Sequence, residues 1–178
     1  MIANARFMIA AAFAASALVA SFAPAAADAP TLLGVSQSWS AYQTGSGMSK
    51  VCYALSKPKS VDPRKATRDP IFFLISDWPM RRAKAEPEIV PGYQYKVGSK
   101  VTAQVGSDKF EFFTKNEDGA GSAWVKDNTD EARLIDAMKR GSQVIVTGIS
   151  QRGTMTRDTY TLDGISTMLD KIHTACGF

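Results

Sequence analysis

The chain has 178 residues, of which 45% are hydrophobic and 21% charged, and its 21 Lys and Arg against 17 Asp and Glu give a net charge of +4. This length suits one domain with a buried core. The mild positive charge falls well short of the dense basic surface of a nucleic-acid-binding protein, so we predict no nucleic-acid partner.

The first residues have the pattern of a secretory signal peptide. Arg6 precedes an apolar run over residues 7–22, and the triplet AAA (25–27) follows. A basic start, an apolar centre and an A-x-A end are typical of a cleaved leader. A membrane anchor is disfavoured because the run is short for a span and mostly alanine. We therefore predict that residues 1–27 are a cleaved signal peptide, that residues 28–178 form a single domain, and that no stable membrane insertion remains after cleavage.

The next part of the chain predicts short strands. "GVSQSWSAY" (34–42) alternates and places Val35 and Trp39 on one face, and "KVCYALS" (50–56) predicts the returning strand. Residues 57–69 contain two prolines and five Lys or Arg, which predicts an exposed loop. "IFFLIS" (71–76) is a short, continuous apolar run, typical of a buried strand in a sandwich.

Strands and turns alternate through the following segments. "WPMRRAKAEPE" (78–88) predicts a second charged loop interrupted by proline. Residues 92–114 predict three strands separated by glycine turns. "NEDGAG" (116–121) lacks the ligand spacing of a calcium loop, so we interpret it as a hairpin turn. Residues 142–150 and 158–163 predict two further strands around a turn that contains "RGT" (152–154).

Two helices accompany these strands. Asn128 can cap the first, with Glu131 three residues later as a capping box, and Gly141 suits its end. The second begins at about Gly164, and one apolar face follows from the i, i+3, i+4, i+7 spacing of Ile165, Met168, Leu169 and Ile172. Seven or eight short strands with two packed helices, one at the C-terminus, predict a mainly β, antiparallel sandwich.

The chain also resembles the invasion-associated locus B family of secreted bacterial proteins. The resemblance implies an immunoglobulin-like β-sandwich exported to the periplasm or beyond, a role in host-cell entry in some pathogens, and no established catalytic activity. The chain departs from the family in two places. It lacks the cysteine that many members carry shortly after the first tryptophan, and "AEPEIVP" (85–91) fits the family pattern poorly. The matching motifs are "WSAY" (39–42), "KVCYALSKPK" (50–59), "GYQYKVGS" (92–99), "AW" (123–124), "AMKRG" (137–141), "VTGISQRGTMTRDTYTLDGIS" (146–166) and "AC" (175–176).

Cys52 and Cys176 are the two cysteines. An even count in an oxidising compartment favours a disulfide, which would enclose 125 residues counting both ends. Two buried thiols, a catalytic thiol and a metal ligand are the alternatives. His173 is the single histidine, and we predict that it is solvated. Because a zinc site or a catalytic triad needs partners that cannot be assembled here, we predict no metal, no cofactor and no catalytic residue.

Basic residues on the two predicted loops are the best functional candidates. We expect Trp39 and Trp124 in the core, and Trp78 exposed beside arginines, where it would suit an interface anchor. Charge steering favours an anionic partner such as lipopolysaccharide, lipid headgroups or sulfated glycans, with plain solubility as the alternative. The candidate partner-binding residues are Lys57, Lys59, Arg64, Lys65, Arg68, Trp78, Arg81, Arg82 and Lys84.

These observations predict a non-enzymatic, exported protein of the periplasm, the outer membrane or the cell exterior. It would bind another envelope component or a host surface, the partner being an unknown protein or an anionic envelope or surface component. The alternatives are a periplasmic enzyme acting on an envelope polymer, although no carboxylate pair stands out at strand ends, and a structural subunit of an envelope complex. A deep polar pocket would indicate the enzyme, an exposed basic or aromatic patch the binding protein, and a large apolar patch the subunit.

Overall fold

A computed structural model describes residues 29–178, so the predicted signal peptide lies outside the described residues. Within this part of the chain, neither α-helix is long and apolar enough to cross a membrane. The elements are β1 (Thr31–Ser36), β2 (Trp39–Thr44), β3 (Val51–Ser56), β4 (Ser60–Asp62), β5 (Phe72–Trp78), β6 (Ala83–Val90), β7 (Lys100–Val105), β8 (Asp108–Glu117), β9 (Ala120–Val125), α1 (Asn128–Arg140), β10 (Gln143–Ile149), β11 (Met155–Thr161) and α2 (Ile165–Cys176).

All the strands join one antiparallel sheet in the order β1-β2-β3-β5-β6-β9-β8-β7-β10-β11-β4. The sheet folds back on itself, so that its two halves share a core. Phe73 of β5 packs edge-on against Tyr160 of β11 with ring centroids 5.7 Å apart, although five strands separate β5 from β11 in the sheet. The indole N–H of Trp39 donates to the carbonyl of Thr161 at 3.0 Å across the same core. The predicted mainly β, antiparallel sandwich with two helices is confirmed.

Both helices occur where the sequence predicts them. The buried face of α2 contains Ile165, Met168, Leu169 and Ile172, as its apolar spacing predicts. The cap of α1 differs by one residue, because Asp127 and not Asn128 accepts the N–H groups of the first turn. Aspartate and asparagine are about equally good caps, so composition alone does not choose between neighbours.

Residues 29–178 form eleven strands, more than the seven or eight predicted. The sequence pattern merges strands across tight turns and misses the shortest ones. Residues 34–42 are not one strand: a turn at Gln37, whose φ is 52°, separates β1 from β2. Val35 is consequently 61% exposed while Trp39 is fully buried. Residues 92–95 form no strand, and Tyr95 makes only an isolated bridge to Ser150.

The second predicted loop is largely strand β6, so that interpretation was wrong. Ala85, Pro87 and Ile89 point inward, and the charged residues between them point outward. Pro87 is tolerated because β9 pairs only with Glu88 and Ile89, which leaves the proline beyond that ladder. A strand with this alternation can form despite its charges because one face is buried.

The predicted hairpin turns are confirmed. Asp118 and Gly119 connect β8 to β9 with φ of 48° and 85°, the two left-handed conformations of a tight hairpin loop. Gly153 has φ of 84° in the turn between β10 and β11, where a residue with a side chain would be strained.

Candidate functional site

The predicted disulfide is confirmed. Cys52 and Cys176 are bonded, with their Cα atoms 5.9 Å apart. The bond joins β3 to the last turn of α2. It therefore fixes the C-terminal helix against the first half of the sheet, which positions His173 one turn earlier.

A buried carboxylate, Asp77, lies beside this disulfide. It pairs with Cys52 in the β3–β5 ladder, and the register shifts between Ser76 and Trp78. One Asp77 oxygen accepts the N–H of Ala85 at 2.8 Å, and the other lies 2.7 Å from Nδ1 of His173. The Asp77 side chain has no solvent exposure, so these partners replace water.

His173 is consequently not the solvated residue that the sequence predicted. Its side chain is 13% exposed and is held by Asp77. Ala85, which also binds Asp77, has a φ of 57°, the left-handed region that residues with a β-carbon avoid. Backbone strain of this kind costs about 1–3 kcal/mol and persists only where its surroundings enforce it. Asp77 thus joins a strained strand to the C-terminal helix.

His173 lines a groove between β6, α1 and α2, which we call the charged groove. Its volume is about 360 Å³. Its basic lining residues are Arg82, which directly precedes β6, Lys84 of β6 and Lys139 of α1. The polar residues that line the groove are Arg82, Lys84, Asn128, Glu131, Asp136, Lys139 and His173.

Cations outnumber carboxylates in the lining of the charged groove, with Arg82, Lys84 and Lys139 against Glu131 and Asp136. Burial raises the pKa of Glu131, and the charges of Glu86 and Asp127 add to this while Arg81 opposes it. Guanidinium and ammonium groups around one concave surface favour binding of an anion. Among its described lining residues the groove has no serine, threonine or cysteine to act as a nucleophile.

Four candidates of the first predicted loop lie away from the charged groove. Lys57, Lys59, Arg64 and Lys65 are exposed, and none forms a salt bridge with another residue of 29–178. We call them the basic loop. Lys57 and Lys59 line a separate shallow groove. The structure therefore does not bring the two predicted basic clusters together.

Arg68 does not belong to an exposed basic surface. Its guanidinium makes two hydrogen bonds to the carboxylate of Asp158, at 2.5 and 2.9 Å, and the two side chains are 5% and 3% exposed. The pair fixes the loop after β4 to β11. Arg68 is therefore not one of the exposed cations with which the sequence grouped it, because its charge is paired with Asp158 inside the protein.

The second predicted cluster divides between two surfaces. Arg82 and Lys84 reach the charged groove. Arg81 instead lies over the ring of Trp78, 4.3 Å from its centroid, and forms a salt bridge with Glu86 at 2.7 Å. Trp78 is half-buried under this arginine and is less exposed than expected.

The other tryptophans behave differently from each other. Trp39 is fully buried in the core, as predicted. Trp124 is half-buried on the outer face of β9 and lies outside the core, so that prediction was wrong. Within residues 29–178, no group of three or more His, Cys, Asp or Glu is arranged to hold a metal ion.

The fold and the site define a small, antiparallel β protein with a long-range disulfide and a charged groove backed by a buried Asp–His pair. The sequence profile of the family described as invasion associated locus B (IalB) protein matches residues 39–173. The chain therefore belongs to this family, as its motifs predicted.

A solved relative shows the same fold. The crystal structure of invasion associated protein b from Bartonella henselae is 14% identical, with a TM-score of 0.56, and the match covers 82% of this chain and 98% of that chain. A search of curated proteins found no match.

Proposed function

We propose that this member of the family is an exported, non-enzymatic protein that binds an anionic group of an envelope component or of a host surface in the charged groove. The observation that carries the proposal is that Arg82, Lys84 and Lys139 line the same groove as His173. The family match supports export and a surface role. The periplasm, the outer membrane and the cell exterior are the compartments in which such a partner would be met.

The charged groove suits this task better than the basic loop for a geometric reason. Three cations line the charged groove, from the start of β6 and from α1, whereas the shallow groove beside the basic loop is lined by two of that loop's four cations, Lys57 and Lys59. Cations that line one concavity can bind the same ligand, and together they raise the electrostatic potential there. Dispersed surface cations are each screened by salt. His173, whose Nδ1 is held by Asp77, adds an imidazole ring of fixed orientation to the lining of the groove.

Binding can be tested with two variants of equal charge change. Arg82→Glu/Lys84→Glu/Lys139→Glu reverses the charged groove, and Lys57→Glu/Lys59→Glu/Lys65→Glu reverses the basic loop. Calorimetric titration of the mature protein with lipopolysaccharide, heparin and anionic phospholipid vesicles, at low and physiological ionic strength, measures the outcome.

We expect at least one of these three probes to bind wild type with an affinity that falls as salt rises. The groove variant should then bind at least about tenfold more weakly, and the loop variant should change the affinity far less. Two results would refute the proposal: no binding of any probe at low salt, or an equal loss in both variants.

A further inference from the structure

An aromatic surface lies on the outer face of the sheet next to the charged groove. Trp124 of β9 pairs directly with Phe113 of β8 on one side and with Glu88 of β6 on the other. The two rings have centroids 6.0 Å apart and planes tilted by 34°. Phe113 is 48% exposed and Trp124 is half-buried, so the pair presents aromatic surface to solvent.

Polar groups with defined partners surround these rings. The carboxylate of Glu88 is hydrogen-bonded by Ser122, and partial burial raises its pKa, an effect to which Glu86 adds and which Ser122 opposes. Arg81 is held between Trp78 and Glu86. A shallow groove of about 900 Å³, which we call the aromatic groove, is lined by the aromatic residues Trp78, Phe113 and Trp124 and by the charged residues Arg81, Glu86, Glu88, Lys115, Lys126 and Glu131.

The aromatic groove and the charged groove meet at the first turn of α1. Asn128 and Glu131 line both of them. One continuous surface therefore combines aromatic rings, carboxylates, a guanidinium, two ammonium groups and, at one end, the cations of the charged groove. This combination is informative about the ligand because each component suits a different chemical group.

We propose that the ligand of this surface is an acidic glycan. A sugar ring presents C–H groups on its faces, which the negative face of an aromatic ring such as Phe113 attracts. Its hydroxyls can donate to carboxylates such as Glu88 and accept from Arg81. A sulfate, phosphate or carboxylate substituent of the same chain lies in the charged groove. The inference rests on the proposed function and names its ligand.

Other anionic polymers suit the surface less well. The aromatic groove carries three carboxylates, of Glu86, Glu88 and Glu131, against three cations, Arg81, Lys115 and Lys126, so it has no excess of positive charge to attract a chain with a phosphate at every unit. A lipid headgroup alone would occupy the cations and leave the aromatic faces uncovered. A glycan with spaced acidic groups satisfies both parts of the surface.

The test removes one exposed ring and leaves every charge in place. Phe113→Ala deletes the most exposed aromatic face, and Phe113→Trp keeps a face at that position. Met155→Ala, a 66% exposed apolar residue of β11, is the matched control. Calorimetric titrations use rough lipopolysaccharide as the bacterial source of acidic sugar, a heparin hexasaccharide as the host source, and anionic phospholipid vesicles as a ligand without sugar.

We expect wild type to bind at least one of the two saccharide probes, and the probe that binds identifies the source. Phe113→Ala should weaken that binding about tenfold, while Phe113→Trp and Met155→Ala stay within about twofold of wild type. Unchanged saccharide affinity in Phe113→Ala, or binding of vesicles but of neither saccharide, would overturn the glycan inference while the proposed function stands. Failure of all three probes to bind would refute the proposed function itself.

Discussion

Replacing Asp77 with alanine should strongly destabilise the fold. The substitution deletes the acceptor of the Ala85 N–H and the partner of His173, both within 2.8 Å of the carboxylate. An unsatisfied buried N–H costs about 1–3 kcal/mol, and a hydrogen bond to a charged group contributes about 1.5–3 kcal/mol. We therefore expect Asp77→Ala to lower the free energy of unfolding by about 3–5 kcal/mol, from the two losses together.

Urea and thermal unfolding measure this effect. In a domain of this size, 1 kcal/mol corresponds to about 2–4 °C, so the melting temperature should fall by roughly 6–20 °C. Asp77→Asn keeps an oxygen that can accept the Ala85 N–H, so this variant should lose less stability than Asp77→Ala. Asp170→Ala, an exposed aspartate of α2, is the control and should change stability by no more than about 0.5 kcal/mol.

The reasoning would be refuted if Asp77→Ala, with its disulfide intact by mass spectrometry, stayed within about 1 kcal/mol of wild type. Such a result would mean that water or a shifted side chain satisfies Ala85 and His173 equally well. It would also remove the argument that His173 is fixed in the charged groove.

Three other predictions concern stability. Cys52→Ser/Cys176→Ser opens a loop with a sequence separation of 124 and should cost up to about 5 kcal/mol in urea unfolding; a cost below about 1 kcal/mol would contradict the role of the bond. Arg68→Ala leaves Asp158 buried and unpaired and should lower stability by about 3–5 kcal/mol, whereas Arg68→Met/Asp158→Leu should recover most of it in thermal melting; no recovery would speak against an isolated ion pair. Glu88→Gln should raise the melting temperature at neutral pH. The pKa of Glu88 is raised in the folded protein, so the stability that its protonated form contributes is complete in acid and is lost as pH rises through the folded-state pKa. The gain from glutamine should therefore shrink on acidification, and a gain independent of pH would disprove this origin.

Local sequence patterns were sufficient to predict the elements whose stability depends on nearby residues. The face of α2 follows from the spacing of Ile165, Met168 and Leu169, and all three are buried. The disulfide follows from an even cysteine count and the predicted compartment, without knowledge of the fold. The hairpin turns follow from glycines in positions that require positive φ.

Contacts between distant parts of the chain were not predictable in this way. Asp77 and His173 are 96 positions apart, and a register shift in β5 and the bonded end of α2 bring them together. The available signal was an aspartate directly after the apolar run of residues 71–76, which suggests a buried carboxylate but not its partner. The burial of Arg68 was unpredictable for the same reason, since its partner Asp158 is 90 positions away in the sequence.

Strand β6 shows how pairing overrides local composition. Its charges and Pro87 disfavour a strand when taken alone. The ladder with β5 extends along most of β6, and the buried alternate residues supply the stabilisation that composition lacks. The charged groove depends on this strand, since Arg82 and Lys84 are positioned by its start, so the site could not be assembled while β6 was interpreted as a loop.

The central claim is that the charged groove binds an anionic group. It is tested most directly by NMR, with amide shifts of the mature protein followed during titration with the heparin hexasaccharide and with rough lipopolysaccharide. The account predicts that binding moves the amide signals of Arg82, Lys84, Lys139 and His173 and leaves those of Lys57 and Lys65 unchanged. Shifts confined to the basic loop, with the groove signals unmoved at saturation, would contradict it.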